Sequence, residues 1–212
     1  MSSPQIILAS TSPRRRELLT LLGLRFEVVA PTCEEVPVIG LSPNRQAKQF
    51  ACDKACSVSK KHPQHLVLGS DTIIEIEGML LGKPKDIEEA EAMLKQLRGR
   101  THHVRTGVAL VKESDHLLIS FAETATVRVR NFTDGELTHY LSTKESLGKA
   151  GAYSIQGKGK KLIEKIEGDY PTIVGLPLWR VAKLLEQQGM RVPNSAEEIY
   201  RVKPYANWKE FS

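Results

Sequence analysis

Arg14, Arg15 and Arg16 follow directly on an apolar run, Ile6 to Ala9, and a hydroxyl cluster, Ser10, Thr11 and Ser12. Ser12-Pro13 is a helix-start signal, with a hydroxyl at the N-cap and proline at the first helical position. The order strand, tight polar loop, helix N-terminus presents unpaired backbone N–H groups and the positive end of a helix dipole. Anions bind at such places. Three cations in a first helical turn are electrostatically unfavourable without an anion nearby. The segment therefore reads as a phosphate site, with an exposed solvated turn as the plain alternative. Successive helix residues fan out by about 100°, so at least one arginine must point away.

Further residues could join that chemistry. Lys54 lies on an apolar helical stripe with Ala47, Ala51 and Val58. It either snorkels to the edge or faces a buried anion. Asp71 ends the apolar run Leu66 to Gly69, and ligands of α/β sheets sit beyond the carboxyl ends of strands. A carboxylate there can bind a divalent metal or activate water; otherwise it is a turn former. Glu34 and Glu35 could supply a second carboxylate from a loop, or simply be solvated there. Lys83-Pro84 and the Gly/Lys-rich stretch Ala152 to Lys161 could touch phosphates or be plain turns. No Walker loop, H-E-x-x-H or G-x-S-x-G pattern occurs. Cys52 and Cys56 lack further ligands at zinc spacing. His102 and His103 point to opposite faces of a strand and are poor joint ligands.

These residues need a scaffold. Strands are expected over Gln5 to Ala9 and Leu24 to Ala30, and a first helix ends at Gly23. Ser42-Pro43 opens a helix running to about Lys60. Leu66 to Gly69 is a strand stopping at Ser70-Asp71. Thr72 to Ile76 and Met79 to Leu81 form a hairpin around Glu77-Gly78. Asp86 caps a helix that stops at Gly99, and Thr133 with Glu136 caps another. His103 to Val111 and Leu117 to Val129 are long strands. Ala152 to Ile155, Lys161 to Ile166 and Thr172 to Val174 are read as extended. Leu176 to Gln187 is the last clear helix. Beyond Gly189 the pattern fades, but Tyr200, Tyr205 and Trp208 suggest a tail that docks. Helices and strands alternate early and strands cluster later, which gives an α/β chain with a mixed sheet.

At 212 residues the chain can bury a substantial core. No apolar stretch reaches membrane-spanning length, and the apolar start is too short for a signal-peptide core. With three cysteines, an odd number, a reducing, cytoplasmic setting is expected. The net charge of +5 suits an anionic partner, either nucleic acid or a small phosphate compound. Few aromatics accompany the basic residues and carboxylates sit among them, so nucleic acid is not the expected partner.

Taken together, "LASTSPRRRELL" (Leu8 to Leu19), Glu34-Glu35, "DKA" around Lys54, "GSDTI" (Gly69 to Ile73), "GKP" (Gly82 to Pro84), "KAGAYSIQG" (Lys149 to Gly157) and "IVGLPL" (Ile173 to Leu178) resemble the Maf-like nucleotide pyrophosphatases. The resemblance covers about residues 5 to 188. It implies a Maf/inosine-triphosphatase-like α/β fold: an elongated mixed sheet flanked by helices, with two lobes and a cleft between them. It implies one catalytic domain over 1–190, with 191–212 as an extension matching nothing in the family pattern. The implied activity is hydrolysis of a nucleoside triphosphate to the monophosphate and pyrophosphate with a divalent cation, Mg²⁺ or Mn²⁺. Family site positions fall on Ser10, Arg15, Lys54 and Lys83 for phosphates, Glu35 and Asp71 for the metal, Asp71 as proton acceptor, and Gln156.

Three positions divide the family by substrate. Its 7-methyl-GTP branch looks like "SPWRR", "SDQ" and "KSEG", where this chain has Arg14, Thr72 and Gln156. They match the dTTP/UTP branch. A tryptophan and a glutamate suit a cationic methylated purine; glutamine offers donor and acceptor to the neutral edge of uracil or thymine. The alternatives are a purine house-cleaning pyrophosphatase acting on ITP or XTP, and a non-catalytic nucleic-acid-binding or cell-division regulatory protein. The substrate partner is a small nucleoside triphosphate; no membrane partner is expected, and a homodimer is left open.

Overall fold

The computed structural model describes residues 6–211. The first expected strand therefore begins at its second residue, because Gln5 lies outside the described residues. The strands are β1 (Ile6–Ala9), β2 (Phe26–Val29), β3 (Leu66–Ile76), β4 (Met79–Leu81), β5 (Thr101–Lys112), β6 (Leu117–Val129) and β7 (Ile163–Glu167). The helices are α1 (Pro13–Leu21), α2 (Pro43–Ser59), α3 (Ile87–Leu97), α4 (Asp134–Ser142), α5 (Tyr170–Val174), α6 (Leu178–Gln187), α7 (Ala196–Val202) and α8 (Ala206–Glu210). The sheet has seven strands in the order β2-β1-β3-β5-β6-β7, with β4 paired to β3. β1 runs parallel to β2 and β3, whereas β3–β4 and β6–β7 are antiparallel. The sheet is mixed, as the alternation of elements required.

The chain divides into two compact units. The first comprises the described residues up to Asp71, with Thr106–Glu123 and Gly175–Lys203. Its sheet begins with the apolar run Ile6–Ala9, buried at every position because α/β strands carry helices on their faces. α1 starts where the sequence signals it, on Ser12, and buries Leu18 and Leu19. Each buried leucine stabilises by about 1.5–3 kcal/mol. α2 lays Ala51, Ala55 and Val58 against Ile7, Val67, Ala109 and Val111. It sits close because two strand positions facing it are glycines. A Cβ on Gly69 would come within 2.4 Å of the Ala51 carbonyl, and one on Gly107 within 2.1 Å of the Ala47 carbonyl. That close approach sets the height of Lys54 over β3.

The second unit comprises Thr72–Arg105, Thr124–Val174 and the chain from Pro204 onward. Its core gathers Ile74 and Ile76 of β3, Leu94 and Leu97 of α3, Val127 and Val129 of β6, and Leu137, Tyr140 and Leu141 of α4. α4 opens on a reciprocal capping box between Thr133 and Glu136, the pattern legible in T-x-x-E. His102 is buried, with Nε2 2.8 Å from the Tyr153 hydroxyl. Burial, and to a smaller degree His103, lowers its pKa from 6.5 to about 4. Between those values the folded state binds fewer protons than the unfolded chain. Stability is therefore fully present above pH 6.5 and is lost as pH falls toward 4, by on the order of 3 kcal/mol. The urea midpoint should fall across that window and fall less steeply in His102→Gln. Parallel profiles would remove His102 as the cause.

Three expectations are corrected. β3 does not stop at Ser70-Asp71 but continues to Ile76. The polar residues there are not turn formers: both have partners from distant segments, so the strand continues through them. Thr172 to Val174 is helical within α5, not extended. The Asp169 carboxylate accepts from the Thr172 N–H at 2.9 Å and its hydroxyl at 2.7 Å, closing the first turn. Ala152 to Ile155 is not a strand: residues 150–152 form a 3₁₀ turn and the rest is irregular.

Candidate active site

The register of the parallel strands assembles the site. Ala9 lies opposite Gly69, so the Ser10–Ser12 loop beyond β1 runs beside Ser70 and Asp71 on β3. Asp71 is thus beyond the carboxyl end of β1 rather than of its own strand. The Ser12 hydroxyl caps α1 by accepting from the Arg15 N–H, and the Ser12 N–H donates to Ser10 Oγ at 3.2 Å. The loop is fixed by its own hydroxyls.

Of the three arginines, Arg16 is exposed and Arg14 and Arg15 are half-buried, in keeping with their fan around the helix. Arg15 turns inward. Its Nε donates to the Gly175 carbonyl at 2.9 Å and one terminal nitrogen donates to Ser10 Oγ at 3.4 Å. The Gly175 carbonyl also accepts from Ser70 Oγ at 2.9 Å. Gly175 has φ +119°, a conformation that glycine adopts without steric cost. Burial lowers the Arg15 guanidinium pKa, and the nearby charges of Asp71 and Glu35 pull it back up.

Lys54 is buried rather than snorkelling, and α2 delivers its ammonium onto carboxylates. Its Nζ bonds Asp71 Oδ1 and lies 2.6 Å from Glu35 Oε1. The Lys54 and Asp71 side chains are almost wholly buried, while Glu35 remains 37% exposed. Glu34 is exposed. The first unit therefore brings together Ser10, Arg15, Glu35, Lys54 and Asp71, with Arg14 on the same helical turn. Two cations, two carboxylates and a helix N-terminus are groups that an oligophosphate and its counter-ion can use.

Glu35 and Asp71 are the side chains that could hold a divalent cation, although the point on which they converge holds the Lys54 ammonium. Glu35 and Asp71 supply hard oxygens drawn to one point by the Lys54 ammonium, and Mg²⁺ is usually held by one or two carboxylates plus substrate phosphates. Among the described residues no group of three or more His, Cys, Asp or Glu side chains is placed to hold a metal.

Thr72, Lys83 and Gln156 belong to the second unit. Thr72 follows Asp71 on β3 and so takes the opposite face. Lys83 is exposed just after β4, and Gln156 is half-exposed on the loop before β7. That loop is tied down: the Glu145 carboxylate accepts from the Lys158 N–H at 2.8 Å and the Gly159 N–H at 3.2 Å. A groove of about 660 Å³ in this unit is lined by Arg130, His139, Lys158, Lys160, Lys161 and Glu136 among others. Arg130 and Lys160 are paired with Glu136 and Glu210. Sequence reasoning missed the parts played by Ser70 and the Gly175 carbonyl in holding Arg15. A glycine within the I-V-G-L-P-L segment was the one local hint.

An α/β scaffold with its first strand–loop–helix beside a buried lysine–carboxylate cluster defines the class. Residues 5–188 match the family described as Maf-like protein, and the chain belongs to that family. A "dTTP/UTP pyrophosphatase" of Thermoanaerobacter sp. (strain X514) is 45% identical over 87% of this chain and 96% of its own length. The Myxococcus xanthus protein of the same name is 44% identical over 89% of this chain and 94% of its own. A HAM1 protein from Coxiella burnetii, 15% identical, superposes over 87% of this chain and 99% of its own with a TM-score of 0.53, which establishes the shared fold. Among the described residues no helix is long and apolar enough to cross a membrane.

Proposed function

We propose that this chain hydrolyses dTTP and UTP to the nucleoside monophosphate and pyrophosphate. The observation that carries the reading is the convergence of Arg15, Lys54, Glu35 and Asp71 at the end of β1 and the start of α1, in a chain whose relatives bear the name dTTP/UTP pyrophosphatase. Ser10, Arg15, Lys54 and Lys83 bind phosphate oxygens, and the α1 N-terminus adds backbone N–H donors. Glu35 and Asp71 would hold Mg²⁺ or Mn²⁺, which neutralises phosphate charge and polarises the reacting group. A carboxylate has two oxygens, so Asp71 can keep one on Lys54 or the ion and take a proton on the other. Asp71 accepts the proton of a water attacking the α-phosphorus. The bond from that phosphorus to the α–β bridging oxygen breaks and pyrophosphate leaves. The arginine and lysine charges offset the negative charge gathering on it.

Arg14 and Gln156 set the base preference, with the Gln156 amide meeting the neutral pyrimidine edge; Thr72, on the face of β3 opposite Asp71, acts on it only indirectly. The three free thiols, Cys33, Cys52 and Cys56, suit a reducing compartment such as the cytoplasm.

The test is a pyrophosphate-release assay with dTTP, UTP, CTP, ITP and 7-methyl-GTP, each with Mg²⁺ or Mn²⁺, and identification of the nucleotide product. UMP and dTMP are expected, and Gln156→Glu should depress turnover of both parent triphosphates. Preference for 7-methyl-GTP or ITP would discard the base assignment and keep the phosphate chemistry. Folded protein that turns over none of them, yet shifts nucleic acid in a salt-dependent way, would overturn the enzymatic reading.

A further inference from the structure

The match to the family ends at residue 188, but the chain continues into two docked helices. In the first unit, the Asn194 N–H and side-chain amide donate to the Leu22 and Leu21 carbonyls at 3.1 and 2.8 Å, closing the end of α1. The Tyr200 ring of α7 meets Trp179 of α6 edge-on at 5.5 Å. In the second unit α8 docks by a different set of contacts. Trp208 is 2% exposed and stacks on Tyr170 with ring centroids 5.6 Å apart and planes 12° from parallel. Phe211 packs against the core of that unit.

What α8 holds is the loop of Gln156. The Asn207 side-chain amide donates to the Ile155 carbonyl at 2.8 Å. That carbonyl and the Gln156 N–H belong to one planar peptide unit, so fixing the oxygen fixes the plane from which Gln156 departs. One helical turn on, Glu210 pairs with Lys160 at 2.7 Å. Glu145 holds the Lys158 and Gly159 N–H groups between them. Gln156 is therefore clamped by Asn207 before it and by Glu145 and Glu210 after it. A glutamine has three rotatable side-chain bonds and reads a base edge only if its backbone is set.

We propose that Asn207, carried by the C-terminal extension, is a positioning residue for pyrimidine selectivity: α8 sets the Ile155–Gln156 peptide so that the Gln156 amide is pre-oriented for the base. The extension is then part of the specificity apparatus of this chain, supplied from outside the region shared with the family. The proposal rests on Gln156 being the base-reading side chain.

The experiment compares wild type, Asn207→Ala, Gln156→Ala and the double variant in the full chain, with kcat and KM measured for UTP, dTTP and ITP. Asn207→Ala should lower the UTP-over-ITP ratio of kcat/KM by about 5- to 10-fold, the worth of one well-placed hydrogen bond, mainly through KM. It should add nothing in the Gln156→Ala background, because both act through one contact. Glu210→Gln, a change at an exposed pair that does not threaten folding, should lower the ratio about 2-fold. An unchanged ratio in Asn207→Ala and Glu210→Gln, with Gln156→Ala altered, overturns the proposal and leaves the base reading intact. An unchanged ratio in Gln156→Ala overturns that reading and the proposal with it.

Discussion

Asp71→Asn should lower kcat for UTP hydrolysis by about 10²- to 10⁴-fold, the range of general acid–base catalysis, while KM changes far less. The substitution keeps the size and shape of the side chain, and its amide oxygen still accepts from Lys54. The ammonium also keeps Glu35 as a counter-ion at 2.6 Å. No buried cation is stranded, so the fold should persist. What is lost is the capacity to accept a proton and one negative charge beside the phosphates. A group that only binds substrate shows its removal in KM. A group that acts in the transition state shows it in kcat. An unchanged kcat would take the proton-accepting role from Asp71 and leave it a purely electrostatic partner of Lys54.

How far the sequence disclosed this site depends on where each residue finds its partner. The β1–α1 loop was legible because its signals are local: an apolar run, then Ser-Pro, then leucines at helical spacing. Lys54 was legible as an anomaly, a lysine on a stripe of alanines and valine, although both of its roles stayed open until α2 was docked on glycines of the sheet. Asp71 stands out in the sequence for a reason the structure does not keep. Ser70-Asp71-Thr72 resembles a strand terminus, and only the Gly107 and Gly175 carbonyls and the Lys54 ammonium explain why a strand runs through it. The Arg15–Gly175 contact joins residues 160 positions apart, and no local pattern encodes it. α5 was misread because Thr172, Ile173 and Val174 are β-formers, while the decisive signal was Asp169 capping just ahead of Pro171. The extension was legible only as aromatic residues in search of a surface. Their partners, Tyr170 and Trp179, lie in segments that gave no sign of receiving them.

Lys54→Met should carry the second large effect, on stability as well as rate. Methionine fills much of the lysine stem's volume, so packing against α2's neighbours is retained and charge is what changes. Glu35, 37% exposed, can turn to water, but the Asp71 side chain is only 6% exposed. Breaking a buried pair typically costs about 3–5 kcal/mol; the nearby Arg15 charge offsets part of that for Asp71, and a lower urea midpoint at neutral pH should register the rest. Hydrolysis should fall as well, because the cation proposed to bind phosphate is gone. Adding Asp71→Asn to Lys54→Met separates the two contributions. The double variant should regain much of the lost stability, since no buried carboxylate then lacks its direct ion-pair partner, and its coupling energy measures the pair. Activity should not return, because the asparagine can neither take the water's proton nor replace the missing cation. If Lys54→Met were as stable as wild type, the pair would be offset by its own desolvation cost. Lys54 would then be kept in the apolar stripe of α2 for the phosphate alone.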